Sequence, residues 1–160
     1  MSFFLNIKDI ENLCYDYAKT HFGKYEPIPP FNDRYPEKLE TALAITSREI
    51  GGVLMYKSLY EQAAVLFYEM IKLHPFVNGN KRIAFVSLVF FLFLNGVFLD
   101  ADNVILYKKS KKVADSDPKS RKEIVAMLLK FIANNSTPFD LAKTLHEYRN
   151  NIIRSKKKAV

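Results

Sequence analysis

Apolar side chains recur at intervals of three and four along nearly the whole chain, the spacing of amphipathic helices rather than strands. Ile7, Ile10, Leu13, Cys14, Tyr17 and Ala18 follow it and predict a first helix over residues 6–21. Pro27, Pro29, Pro30 and Pro36 then predict a loop over 22–36, because proline lacks the N–H a helix needs and crowds the preceding turn. A short helix is expected over 37–44. Ser58-Leu59-Tyr60-Glu61 has the spacing of a capping box and opens a helix in which Leu59, Ala63, Leu66, Phe67, Met70 and Ile71 repeat at helical intervals up to Leu73.

The longest apolar run, Ile83 to Leu94, is predicted to form the central helix, from Asn80 to Leu94, buried on all sides and stopped by Asn95-Gly96. It is shorter than the roughly 18–20 residues a bilayer span requires. Asp102 is a candidate cap for a helix over 103–114. Asp117-Pro118 and Thr137-Pro138 both pair a cap residue with proline at the first helical position, predicting helices over 118–134 and from 138 to about 149. Only Gly51 to Tyr56 has strand character, and two glycines before bulky residues suggest a small flap or hairpin. The expected fold is all-α: a compact helical bundle around one buried helix, with a β-hairpin flap.

Composition narrows the class. A chain of 160 residues with 49% hydrophobic and 26% charged residues suits a single soluble domain, expected over 1–150, with a basic tail at 151–160. Lone Cys14 excludes an intramolecular disulfide and suits a reducing compartment. No secretory leader is evident, since Lys8, Asp9 and Glu11 interrupt the apolar start, so the expected location is the cytoplasm, with no membrane partner. The net charge of +7 is concentrated in Lys108, Lys109, Lys111 and Lys112 and in the tail. These are read as a solvated face and a frayed terminus; the competing reading is contact with an acidic partner or nucleic acid.

Chemistry is concentrated in His74-Pro75-Phe76-Val77-Asn78-Gly79-Asn80-Lys81-Arg82, between two predicted helices. An imidazole titrates near neutrality and can take a proton from a hydroxyl. Phe76 is read as an anchor to the core. Gly79 allows a tight turn and close approach of a ligand. N–H groups from Gly79 to Arg82 would face an anion at the helix start, with Asn80, Lys81 and Arg82 adding donors and charge. Two cations in a first turn oppose the helix dipole, which points to anions occupying the site.

These nine residues resemble the signature of the Fic/Doc family in its Doc form, H-x-F-x-(D/N)-(A/G)-N-K-R. Leu39-Glu40-Thr41-Ala42-Leu43 is similar to the family's upstream L-E-(S/T)-A-L element. The resemblance implies the helical Fic fold and transfer of part of a nucleotide to a target hydroxyl. Most Fic enzymes have glycine where this chain has Lys81 and a second arginine where it has Phe85, and they transfer adenylyl from ATP. The departures align the chain with Doc, the toxin of a toxin–antitoxin pair, which phosphorylates elongation factor Tu and arrests translation.

On that resemblance His74 is the base, and Gly79, Asn80, Lys81 and Arg82 hold the phosphates of ATP. Asn78 occupies the position that helps bind Mg²⁺, with a neutral oxygen instead of a carboxylate. Gly52, Val53, Leu54 and Met55 belong to the flap that docks the target, though an ordinary connecting turn is an equal reading of that segment. The family's inhibitory motif (S/T)-x-x-x-E-(G/N) is not found, so restraint is expected from an antitoxin protein. Two alternatives stand beside this: adenylyl transfer on the same fold, and a non-catalytic basic protein serving as an adaptor or binding nucleic acid. The last lacks a helix-turn-helix signature.

Overall fold

The computed structural model describes residues 2–24, 26–140, 142–146 and 148; the basic tail, 151–160, lies outside them. The chain opens with a continuous helical stretch in three parts: α1 (Ile7–Asp9), a π-helical segment (Ile10–Tyr15) and α2 (Asp16–Phe22). Asn6 caps it by accepting from the Lys8 and Asp9 amides, while the Asp9 carboxylate accepts from Asn6 N–H. Through the widened turn, Ile10, Cys14, Tyr15 and Ala18 all face the core. Tyr15 then reaches the proline loop, where its hydroxyl donates to the Pro29 carbonyl at 2.6 Å.

Helix α3 (Pro36–Thr46) starts with Pro36 in its first turn, as its fixed φ favours. A two-stranded antiparallel ribbon follows, β1 (Glu49–Ile50) and β2 (Val53–Leu54), turning at Gly51 and Gly52, whose φ angles are +59° and +78°. This is the expected flap. Helix α4 (Leu59–Lys72) begins at Ser58, whose hydroxyl accepts from Glu61 N–H at 3.1 Å. The Glu61 carboxylate caps Lys57 N–H rather than that of Ser58, one residue earlier than the sequence implied. Helix α5 (Asn80–Leu94) ends at Asn95-Gly96, and α6 (Asn103–Asp115) is capped by Asp102. Pro118–Ser120 forms a 3-10 turn into α7 (Arg121–Asn134).

Two expectations need correction. The helix buried all round is α4, in which every residue from Gln62 to Ile71 is buried. It is packed between α3, α5, α6 and α7, whereas α5 leaves one side open: Lys81 and Phe93 are exposed and Phe85 and Val89 half-buried, four residues apart. Thr137-Pro138 does not start a helix. Ser136–Pro138 is strand β4, antiparallel to β3 (Val97–Leu99), with Val97 opposite Pro138 and Leu99 opposite Ser136. Gly96 turns the end of α5 into an extended segment that needs a partner, and proline is tolerated at the edge of so small a ribbon. Beyond this strand, residues 142–146 and 148 are helical among the described residues, with the Asp140 carboxylate accepting from Lys143 N–H; the expected end near Arg149 lies outside them.

Gln62 on α4 donates from Nε2 to the Tyr56 carbonyl at 2.8 Å but leaves Oε1 buried without a partner among the described residues, whereas the charged groups inside the bundle are paired. Glu69 on α4 takes Nε and Nη2 of Arg121 on α7 at 2.9 and 2.7 Å, and Arg121 also donates to the Tyr56 hydroxyl at the foot of the flap. Lys72 closes the C-terminal end of α6 by donating to the carbonyls of Ala114 and Ser116. Among the described residues, no helix is long and apolar enough to cross a membrane.

Candidate active site

The loop between α4 and α5 is held from below by aromatic packing. Phe76 is buried, with its ring 6.3 Å from that of Tyr15 and 6.0 Å from that of Phe31, so it is the anchor its position suggested. The Pro75 carbonyl accepts from Tyr35 N–H at 2.9 Å, joining the loop to the start of α3. Above this floor, His74 directly follows the last turn of α4 and is exposed. Its φ is +50°, the left-handed region usually left to glycine after a helix end. A side chain placed there costs about 1 kcal/mol that glycine would avoid. Among the described residues, none hydrogen-bonds to its ring.

Gly79 precedes α5 with φ +83°, and a Cβ there would lie 2.9 Å from Ile28 Cγ1, so the loop needs glycine for conformation and for space. No side chain caps α5, and the ladder begins with Ile83 N–H donating to the Gly79 carbonyl. The N–H groups of Asn80, Lys81 and Arg82 therefore lie ahead of it, at the positive end of the helix dipole. They open into a cleft of about 650 Å³ that His74, Asn78, Gly79, Asn80, Lys81 and Arg82 all line. The imidazole and the open helix start share one cavity.

The side chains divide the work differently from what residue type suggested. The Asn80 amide is buried and spans its own loop, accepting from Phe76 N–H at 2.8 Å and donating to the Phe76 carbonyl at 2.7 Å. Its backbone N–H and the second Nδ2 proton are left for a ligand. Arg82 is not uncompensated: Nη1 donates to the carbonyls of Phe22 and Glu26, and Nη2 pairs with the Glu26 carboxylate at 3.2 Å. Lys81 is exposed and lines the cleft. Asn78 Oδ1 accepts from Gly79 N–H at 2.6 Å, and Nδ2 faces Glu26 and the Pro27 carbonyl at 3.3 Å each.

For a Mg²⁺ ion the donor set offers little charge. Among the described residues, no group of three His, Cys, Asp or Glu converges anywhere. One neutral oxygen from Asn78 fits an ion held mostly by water and substrate phosphates, since Mg²⁺ needs only one or two protein ligands there.

Other groups in the cleft were not apparent from sequence. Asn103, Leu106, Tyr107, Ser110 and Ala114 present one face of α6, and Phe22 and Phe85 complete an apolar wall. Their recurrence at intervals of three and four marks that face, but nothing local says it meets a cavity. Glu26 carries no signal at all, lying 52 residues from Asn78. The flap residues Gly52, Val53, Leu54 and Met55 are not among the cleft lining. Elsewhere, burial pushes the Cys14 thiol up to about 12, with a Ser87 hydrogen bond lowering it and Asp9 raising it by smaller amounts. A neutral thiol in the core is no nucleophile.

A mostly helical frame thus brings an imidazole and an open, cation-bearing helix start to one cleft, the arrangement expected of a Fic-type fold. The sequence model of the Fic/DOC family matches residues 4–92, more than half of the chain and the whole of this loop, so the chain belongs to the Fic/Doc family. It is similar to the Toxin Doc of Mycolicibacterium smegmatis, 39% identical over 64 residues. That match covers 40% of this chain and 49% of that protein, about half its length. No solved structure gives a significant match.

Proposed function

We propose that the chain is a Doc-like toxin that moves the γ-phosphoryl group of ATP to a hydroxyl on a protein target, elongation factor Tu by resemblance, and so arrests translation. The observation that carries this is the shared cleft: an exposed His74 facing the same cavity as the uncapped start of α5 and Lys81. His74 takes the proton of the target hydroxyl as its oxygen bonds to phosphorus; the bond to the β-phosphate oxygen breaks and ADP leaves. Backbone N–H groups of α5 and the Lys81 ammonium neutralise charge on the phosphoryl oxygens. Mg²⁺, with Asn78 as a ligand, would add charge neutralisation on the phosphates. Phe85, packed edge-on to Phe22 at 6.1 Å, stands where an adenylyl-transferring relative has its second arginine, which favours phosphoryl over adenylyl transfer.

Two surfaces support the protein partners of this reading. Ile50, Val53 and Met55 are exposed on the β1–β2 ribbon, whose outer edges are unpaired within the described fold, as addition of a target strand requires. The open apolar side of α5, with Phe93, and the nearby exposed Phe22 and Tyr17 suit cover by an antitoxin. Both ATP and that target place the activity in the cytoplasm. Incubation of elongation factor Tu with the chain and ATP labelled at the γ- or α-phosphate tests the proposal. Label is expected from the γ position only and is lost in His74→Ala. Transfer from the α position would select adenylylation, and no dependence on His74 would end the catalytic reading.

A further inference from the structure

Within the phosphate-transfer reading, on which this inference rests, we propose that Glu26 is a resident anion of the phosphate site: its carboxylate takes the outer edge of Arg82, and substrate phosphate must displace it. The carboxylate meets two cleft groups at once, Nη2 of Arg82 at 3.2 Å and Nδ2 of Asn78 at 3.3 Å. The two members of the ion pair differ in solvation. The Arg82 side chain is 21% exposed and that of Glu26 is 70% exposed. A guanidinium so poorly hydrated needs an anion beside it, whereas the carboxylate can return to water at little cost. The same arginine edge therefore has two mutually exclusive partners: Glu26 when the cleft is empty and a phosphate oxygen when it is filled.

The other contacts show that the carboxylate does not hold the loop together. Arg82 Nη1 donates to the main-chain carbonyls of Phe22 and Glu26, bonds that any residue at position 26 would preserve. The end of α2 and the 23–26 turn stay tied to α5 through those carbonyls, with Nη2 left to exchange partners. The carboxylate thus reduces the local charge from that of two cations, Lys81 and Arg82, to one, and lowers the affinity of the cleft for anions.

The test is calorimetric titration of the full chain with inorganic tripolyphosphate, in the absence of divalent metal, for wild type and Glu26→Gln. An exposed ion pair of this kind is worth a factor of about two to five in affinity, and Glu26→Gln is expected to bind tripolyphosphate tighter by that factor. The gain should vanish when Arg82→Ala is combined with it; a gain that persists reports only the general field and overturns the proposal. Glu26→Asp, whose shorter side chain draws back from Arg82 without changing the charge, should bind with intermediate affinity and serves if the glutamine variant does not fold. Wild-type binding with Glu26→Gln equal or weaker overturns this inference alone, because the carboxylate then assists ligands or is indifferent to them. Absence of binding by wild type to both tripolyphosphate and ATP ends the phosphate-site reading and this inference with it.

Discussion

Replacing Asn80 by alanine separates the structural from the ligand-binding duties of the loop. The amide makes two hydrogen bonds to the main chain of Phe76, and both residues are buried, Asn80 at 8% exposure and Phe76 at 4%. Alanine leaves a buried N–H and a buried C=O without partners. Each such group costs about 1–3 kcal/mol if it stays dry. Asn80 borders the cleft, so water can reach part of the vacated space. The lower half of the summed range applies, about 2–4 kcal/mol, from which alanine's better helix propensity subtracts about 0.5 kcal/mol. In urea, with a slope of roughly 2 kcal/mol/M, the midpoint should fall by about 1–2 M. Lys81→Ala is the counterpart: exposed and lining the cleft, it should shift the midpoint by less than about 0.3 M while weakening tripolyphosphate binding. An Asn80→Ala protein of wild-type stability that has lost phosphate affinity would refute the reasoning, because it would place the amide on the ligand instead of on Phe76.

Further substitutions probe the rest of the frame. Arg121→Ala strands the Glu69 carboxylate, 7% exposed, and should cost about 2–3 kcal/mol, less than a fully buried pair because Arg121 itself is 37% exposed; a loss under about 1 kcal/mol in urea unfolding would contradict the pairing. His74→Gly relieves a left-handed backbone and should hold or raise stability by up to about 1 kcal/mol while abolishing transfer; marked destabilisation would make the imidazole structural. Gly79→Ala meets both a positive φ and Ile28, and should lose about 1–3 kcal/mol, partly restored by Ile28→Ala; a neutral effect in thermal unfolding would rule out the close contact. The Cys14 thiol, raised to about 12 from 9.0 by burial, should resist alkylation until the chain unfolds. Since the unfolded thiol ionises first, stability is unaffected below about pH 9 and falls by up to about 1.4 kcal/mol per pH unit above it; Cys14→Ala, compared with wild type between pH 8 and 10, should lose that slope.

What the sequence made legible was local. Helices α3 to α6 follow from periodicity and from caps such as Ser58 and Asp102, whose partners lie two or three residues away. The loop from His74 to Arg82 was visible for the same reason: its chemistry is contiguous. Wherever the deciding partner is remote, residue type misled. Thr137-Pro138 has the composition of a helix start, yet it is a strand because β3, some 40 residues earlier, needs a neighbour. The apolar composition of Ile83 to Leu94 suggested full burial, but enclosure depends on how many elements surround a helix, and α4 has more around it than α5. Residue type also hid the second tasks of Asn80 and Arg82, which tie the Phe76 main chain and the 22–26 turn to α5.

The most direct measurement of the central claim is the intact mass of purified elongation factor Tu after incubation with ATP and this chain, beside a His74→Ala control. The account predicts a gain of one phosphoryl group with wild type and none with the variant. An unchanged mass in both samples, or an equal gain in both, would contradict a transfer reaction run by the imidazole at the mouth of α5.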